Sequence, residues 1–162
     1  MISEPYELTG SFAASMTPPT HTSEPVYKTK KTVFEQLPYP RSSSFERDFM
    51  IYLDGQDEVL AYTKVLPRMP LRIPYHDVDG YLRHYRPDFV IKTAGGMWLL
   101  ETKGAGWDQQ VNVEKKVGAA EEWCERASEL SRATWSFIKI VDTDFARYST
   151  LPFGQLTQAV QA

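Results

Sequence analysis

The sequence predicts an α/β sandwich, a mixed β-sheet with helices on both faces, and three observations carry that prediction. A tight turn, Ala94-Gly95-Gly96, separates two strand-like runs, Tyr81 to Thr93 and Met97 to Lys103, which is the pattern of an antiparallel hairpin. Helical spacing from Asp108 to about Leu130 then leads into the apolar run Trp135 to Val141, the strand, helix, strand order of a parallel crossover. A further helical run precedes all of these.

That first helix starts after Ser42-Ser43-Ser44, whose hydroxyls suit a cap, and places Phe45, Phe49, Tyr52 and Leu53 on one face until Asp54-Gly55 ends it. Val59 to Leu66 reads as a strand, and Pro67 to Pro74 as a second short strand or a loop. In the long helix Val113, Val117, Ala120, Trp123, Cys124 and Ala127 recur at helical spacing. The resulting order is helix, three strands, helix, strand. Residues 1–41 are rich in Ser, Thr and Pro without a sustained period and read as a flexible or partner-docking arm, although the basic, aromatic stretch Val26 to Phe34 has strand character. Residues 146–162 read as a tail with a short helix.

A chain of 162 residues, 42% hydrophobic, suits one compact domain with a real core. It contains no run of about 18 apolar residues, and Glu4 and Glu7 stand where a signal peptide needs a basic end, so the expectation is a cytoplasmic protein without a membrane partner. The single cysteine, Cys124, excludes a disulfide framework and a multi-cysteine zinc cluster and reads as a buried structural thiol. The net charge of −3 argues against a general polyanion binder. Carboxylates that hold a divalent cation count as negative in a sequence, however, and three basic clusters remain: Lys28, Lys30 and Lys31; Lys64, Arg68 and Arg72; Arg83, His84 and Arg86.

Pro87-Asp88 precedes Phe89-Val90-Ile91 in the first hairpin strand, and Glu101-Thr102-Lys103 ends the second, after Trp98-Leu99-Leu100. Charges at the ends of apolar strands are costly unless paired or metal-bound. Residues two apart on a strand share a face, so Glu101 and Lys103 point the same way, and hairpin pairing brings Asp88 alongside. Two carboxylates suit a hard cation such as Mg²⁺ or Mn²⁺, with the backbone carbonyl of Thr102 as a further oxygen ligand. Lys103 suits positioning or deprotonating a water and stabilising transition-state charge, so the set fits phosphodiester hydrolysis. Pro-Asp and Glu-x-Lys are common letters, and surface ion pairs are the ordinary alternative. The joint pattern of strand ends, apolar flanks and hairpin separation is what singles these residues out.

These residues resemble the PD-(D/E)xK nuclease superfamily, and within it the nuclease domain at the C-terminal end of the restriction subunit of type III restriction enzymes. The resemblance rests on Phe45-Glu46-Arg47-Asp48-Phe49, Tyr85-Arg86-Pro87-Asp88-Phe89-Val90, Leu99-Leu100-Glu101-Thr102-Lys103-Gly104, and Lys116 with Ala119-Ala120 and Trp123-Cys124. It covers about residues 42–145. It implies a restriction-endonuclease-like core, Asp88, Glu101 and Lys103 as metal-binding and catalytic residues, and Glu46 as an active-site carboxylate. Spacing alone offers Glu46 a different task, as the Glu of a capping box Ser43-x-x-Glu46.

Lys116 lies near the apolar face of its helix whereas Lys115 points away, which suits a phosphate contact or a snorkelling side chain. On a regular strand His84 and Arg86 share a face with Asp88 and are candidates for substrate contact. Gln109, Gln110 and Asn112 have a weak case as groove contacts, and Trp107 as a lid or wedge. Trp98, Trp123 and Trp135 are spaced as core. The expectation is a Mg²⁺- or Mn²⁺-dependent DNA endonuclease, the nuclease component of a restriction, defence or DNA-mobility complex. The sequence contains no Gly-x-x-x-x-Gly-Lys-Ser/Thr loop, so the resemblance implies a separate helicase, translocase or target-selecting protein, and two strand breaks imply transient pairing of nuclease domains. The alternatives are a catalytically silent DNA-binding or assembly module, a subunit that cuts transposon ends, and a nuclease acting on RNA.

Overall fold

The computed structural model describes residues 23–104 and 112–162. Its centre is a mixed four-stranded sheet in the order β3-β6-β7-β8, formed by β3 (Val59–Lys64), β6 (Phe89–Thr93), β7 (Gly96–Lys103) and β8 (Trp135–Val141). The pairs β3/β6 and β6/β7 are antiparallel, and β7/β8 is parallel. The expected hairpin is present, with Thr93 opposite Gly96. Gly96 has φ 149°, and a Cβ there would lie 2.5 Å from the Thr134 carbonyl oxygen, so the close approach of β7 to the entry of β8 requires glycine.

The apolar strands are continuous rather than alternating because both faces of the sheet are covered. On one face α2 (Val113–Leu130) makes the crossover from β7 to β8 and packs Ala120 and Cys124 with Leu99, Ile73 and Tyr85. On the other, α1 (Phe45–Gly55) buries Phe49, Met50 and Leu53 against Phe89, Ile91, Leu100, Ile138 and Ile140. Trp98 packs against this second cluster, while Trp123 and Trp135 meet edge to face at 5.1 Å beside the first. Cys124 is a buried free thiol, as expected. The protein is thus α/β with a mixed sheet, and among the described residues no helix is long and apolar enough to cross a membrane.

Four expectations need correction. The run Tyr81 to Thr93 is not one strand: β5 (Leu82–Tyr85) pairs with β4 (Ile73–His76) in a separate ribbon, and the chain breaks at Arg86-Pro87-Asp88 before β6. Pro87 has no N–H for a ladder and restricts Arg86, so a central strand cannot run through it. His84, Arg86 and Asp88 therefore do not line one regular strand face.

The segment read as an arm is, over its described part, folded onto the domain. β1 (Val26–Lys28) and β2 (Gln36–Pro38) pair, Leu37 is fully buried, and Phe34 joins the α1-side core. The Asp54 carboxylate accepts from the Tyr27 hydroxyl at 3.0 Å and from the Lys30 and Lys31 amides at 3.1 Å, which fixes the hairpin to the end of α1.

The tail, too, belongs to the core. α3 (Asp142–Tyr148) crosses the expected boundary at 145, and α4 (Phe153–Gln161) buries Phe153 and Leu156. Finally, Asn112 takes a left-handed φ of 76° and α2 starts at Val113, so no continuous helix runs from Asp108. Gln109, Gln110 and Trp107 lie outside the described residues.

Because Leu37 is a fully buried apolar side chain, Leu37→Ala should lower unfolding stability by about 2–4 kcal/mol. Val33→Ala, in the same hairpin but 87% exposed, should change it by less than about 0.5 kcal/mol. Urea unfolding measures both, and equal small effects would mean that the hairpin is not docked.

Candidate active site

The site forms where β6 begins and β7 ends. The Asp88 amide donates to the Leu100 carbonyl at 2.9 Å, and its own carbonyl accepts from Val65 at 2.7 Å, so its backbone is fixed between the ends of β3 and β7. Its side chain lies across β7: Oδ2 accepts from both the amide and the hydroxyl of Thr102, each at 2.7 Å. Charge-assisted bonds of this length hold an ionised carboxylate in a single orientation.

Glu101 is only 5% exposed. One oxygen, Oε1, pairs with Lys103 Nζ at 2.7 Å, as the shared strand face predicts. The other, Oε2, is buried with no hydrogen-bond partner among the described residues. Burial, followed by the charge of Asp88, pushes the Glu101 carboxyl up to about 7, and the opposing ammoniums of Lys103 and Lys116 do not cancel that shift. For Lys103 burial works against the charge, but Glu101, Asp88 and Glu46 together outweigh it and hold the ammonium protonated above its usual range. Lys103 thus stands beside Glu101 as a hydrogen-bond donor and a positive charge.

Glu46 belongs to this cluster and not to a capping box. The Phe45 amide donates to Ser43 Oγ at 3.2 Å, α1 has no side-chain hydrogen bond at its N-cap Ser44, and Glu46 turns inward. Its Oε2 meets Lys64 Nζ at 2.5 Å in a mostly buried ion pair. Burial raises the Glu46 carboxyl, Lys64 opposes the rise, and Asp88 adds to it.

The structure thus brings together Asp88, Glu101, Lys103 and Glu46, with Lys116 at the edge. Lys116 Nζ sits 5.8 Å above the centre of the Tyr75 ring while its charge reaches Glu101, whereas Lys115 is exposed. His84 is not part of the group: it is exposed on the β4/β5 ribbon opposite Pro74. Arg86 is half-buried next to Pro87, its Nε without a hydrogen-bond partner among the described residues.

Four contributors escaped the sequence reading: the Thr102 side chain, Lys64 as the partner of Glu46, Tyr75 beneath Lys116, and the buried Tyr85 hydroxyl, whose ionisation is resisted by burial and then by Glu101. Only the register of β3 against β6, which sets Lys64 opposite Phe89 and so beside Asp88, makes the second of these visible.

The donor set fits a divalent cation. The charge of Asp88 acts on Glu101, and one buried Glu101 oxygen has no hydrogen-bond partner among the described residues, which is what a hard oxygen-liganded ion relieves. Among the described residues no three His, Cys, Asp or Glu side chains are grouped to hold a metal. Two protein carboxylates completed by backbone and water oxygens is the pattern suited to Mg²⁺. Comparison with protein-family models, with curated proteins and with solved structures finds no match.

Glu101 binds its proton more tightly in the fold, near 7, than its ordinary value of 4.5. Its contribution to stability is therefore fully present below the ordinary value and is lost as pH rises through 7. Metal-free protein should lose on the order of 2 kcal/mol between pH 5 and pH 8. Urea unfolding in EDTA measures this; the slope should vanish in Glu101→Gln, and a flat wild-type profile would contradict the assignment. Thr102→Val, which deletes one donor to Asp88 but keeps the shape, should cost about 1–3 kcal/mol, and Thr102→Ser should restore most of it.

Proposed function

We propose that this protein is a divalent-cation-dependent DNA endonuclease with a restriction-endonuclease-like PD-(D/E)xK core. The observation that carries the reading is the buried Glu101 oxygen beside Asp88, without a hydrogen-bond partner among the described residues, with the Lys103 ammonium on the same strand face. The order α1, β3, β6, β7, α2, β8 supports the same core, with the site at the strand ends.

Asp88 and Glu101, with the backbone carbonyl of Thr102, hold Mg²⁺ or Mn²⁺. The bound ion supplies a polarised phosphoryl oxygen and a water of lowered pKa. Lys103 donates hydrogen bonds to the attacking water or to the phosphoryl oxygens and offsets the negative charge that grows on them. Thr102 fixes Asp88 from below, and Glu46 adds to the field that keeps Lys103 charged. Lys116 and Arg86 approach the backbone phosphates of DNA, and His84 on the outer ribbon contacts the duplex farther from the scissile bond. Target choice or ATP-driven motion comes from a separate protein, in a restriction, defence or DNA-mobility setting, and duplex breaks come from transient pairing of two nuclease domains.

Incubation of supercoiled plasmid with the protein and Mg²⁺ or Mn²⁺ should give nicked and linear DNA. Asp88→Asn and Lys103→Met should each reduce the rate by roughly 10²-fold or more. Equal cleavage by all three proteins rejects the site. Wild type that binds DNA but does not cut it, alone or with its partner, indicates a silent assembly module. A parallel RNA substrate should be cut at least tenfold more slowly, and the reverse preference makes the enzyme a ribonuclease.

A further inference from the structure

The Glu46–Lys64 pair bears on how many cations the site can hold. Lys64 ends β3 opposite Phe89, so its side chain reaches the cluster from the flank of Asp88. Its Nζ meets Glu46 at 2.5 Å, with the side chains of Lys64 and Glu46 only 15% and 18% exposed. The same Nζ donates to the Pro38 carbonyl at 3.0 Å, so the docked N-terminal hairpin anchors the lysine from behind. Glu46 lies close enough for its charge and that of Asp88 to act on each other.

We infer that Lys64 takes the place of a second metal ion: the site binds one divalent cation, on Asp88 and Glu101, while Glu46 is committed to the lysine. This inference rests on the metal-dependent reading above. The charge balance supports it. Asp88, Glu101 and Glu46 carry three negative charges against the two positive charges of Lys64 and Lys103. Lys116, whose charge also reaches Glu101, completes the balance, so one divalent ion leaves a net charge of +2 and a second leaves +4 in a partly buried site where like charges are poorly screened. A tethered ammonium already paired with the third carboxylate makes a second ion unnecessary for neutrality and leaves Glu46 no unmatched charge to offer one. The cation count is thus set by a residue that ligates nothing.

Calorimetric titration of the full chain with Mn²⁺ at pH 8 without DNA, checked by the electron paramagnetic resonance of unbound Mn²⁺, reads the stoichiometry directly. The expected result is one Mn²⁺ per chain for wild type, two for Lys64→Met, and one again for Lys64→Met combined with Glu46→Gln. In the wild-type background Glu46→Gln should leave the stoichiometry at one Mn²⁺ per chain, which keeps the inference testable if Lys64→Met fails to fold. Two ions in wild type, one in folded Lys64→Met, or none in Glu46→Gln overturns the inference and leaves the metal-dependent nuclease standing. No Mn²⁺ bound by wild type overturns both.

Discussion

Glu101 carries a carboxylate into a place where an ionised group is expensive, the buried end of the second hairpin strand, next to Asp88 and with one oxygen lacking a hydrogen-bond partner among the described residues. Most of the local structure follows from that. Lys103 is drawn onto the other oxygen, and burial together with the charge of Asp88 raises the affinity of Glu101 for a proton. Leu99 and Leu100, each fully buried on opposite faces of the sheet, lead directly into Glu101. Perturbed carboxyls of this kind cluster at functional sites, which singles out Glu101.

The break at Pro87 is the second constraint. Because the ladder cannot continue through proline, Asp88 is released from the alternation of a regular strand while its backbone remains bonded to Leu100 and Val65. The carboxylate is then free to lie across β7 onto Thr102. The same break lets β4 and β5 leave the sheet as a ribbon, whose turn is organised by the Asp77 carboxylate accepting from Tyr81 and pairing with Arg83. The break at Arg86-Pro87-Asp88 thus separates β6 from the element that carries His84.

Much of this was legible in the letters, for identifiable reasons. Ala94-Gly95-Gly96 between apolar runs announces a hairpin, and the hairpin places Asp88 beside Glu101-Thr102-Lys103 without further information. What escaped depends on contacts distant in sequence. Leu37 looks like a residue in a Pro-rich arm until Phe34 and the Asp54 hydrogen bonds dock its hairpin on the core. Phe153 and Leu156 are too few to show a helical period, yet the sheet needs them. Thr102 should face away from Glu101 on a strand, and it reaches Asp88 only because Asp88 folds over the strand end. Glu46 satisfied a local capping pattern, and the deciding partner, Lys64, stands eighteen positions later on β3.

The central claim is that Asp88 and Glu101 form one cation site. A crystal soaked in Mn²⁺ and measured at the manganese absorption edge tests it most directly. The account predicts a single anomalous peak per chain, within about 2.0–2.6 Å of an oxygen from each carboxylate, with Lys103 beside it. Peaks elsewhere, or a peak touching only one of the two carboxylates, would contradict it.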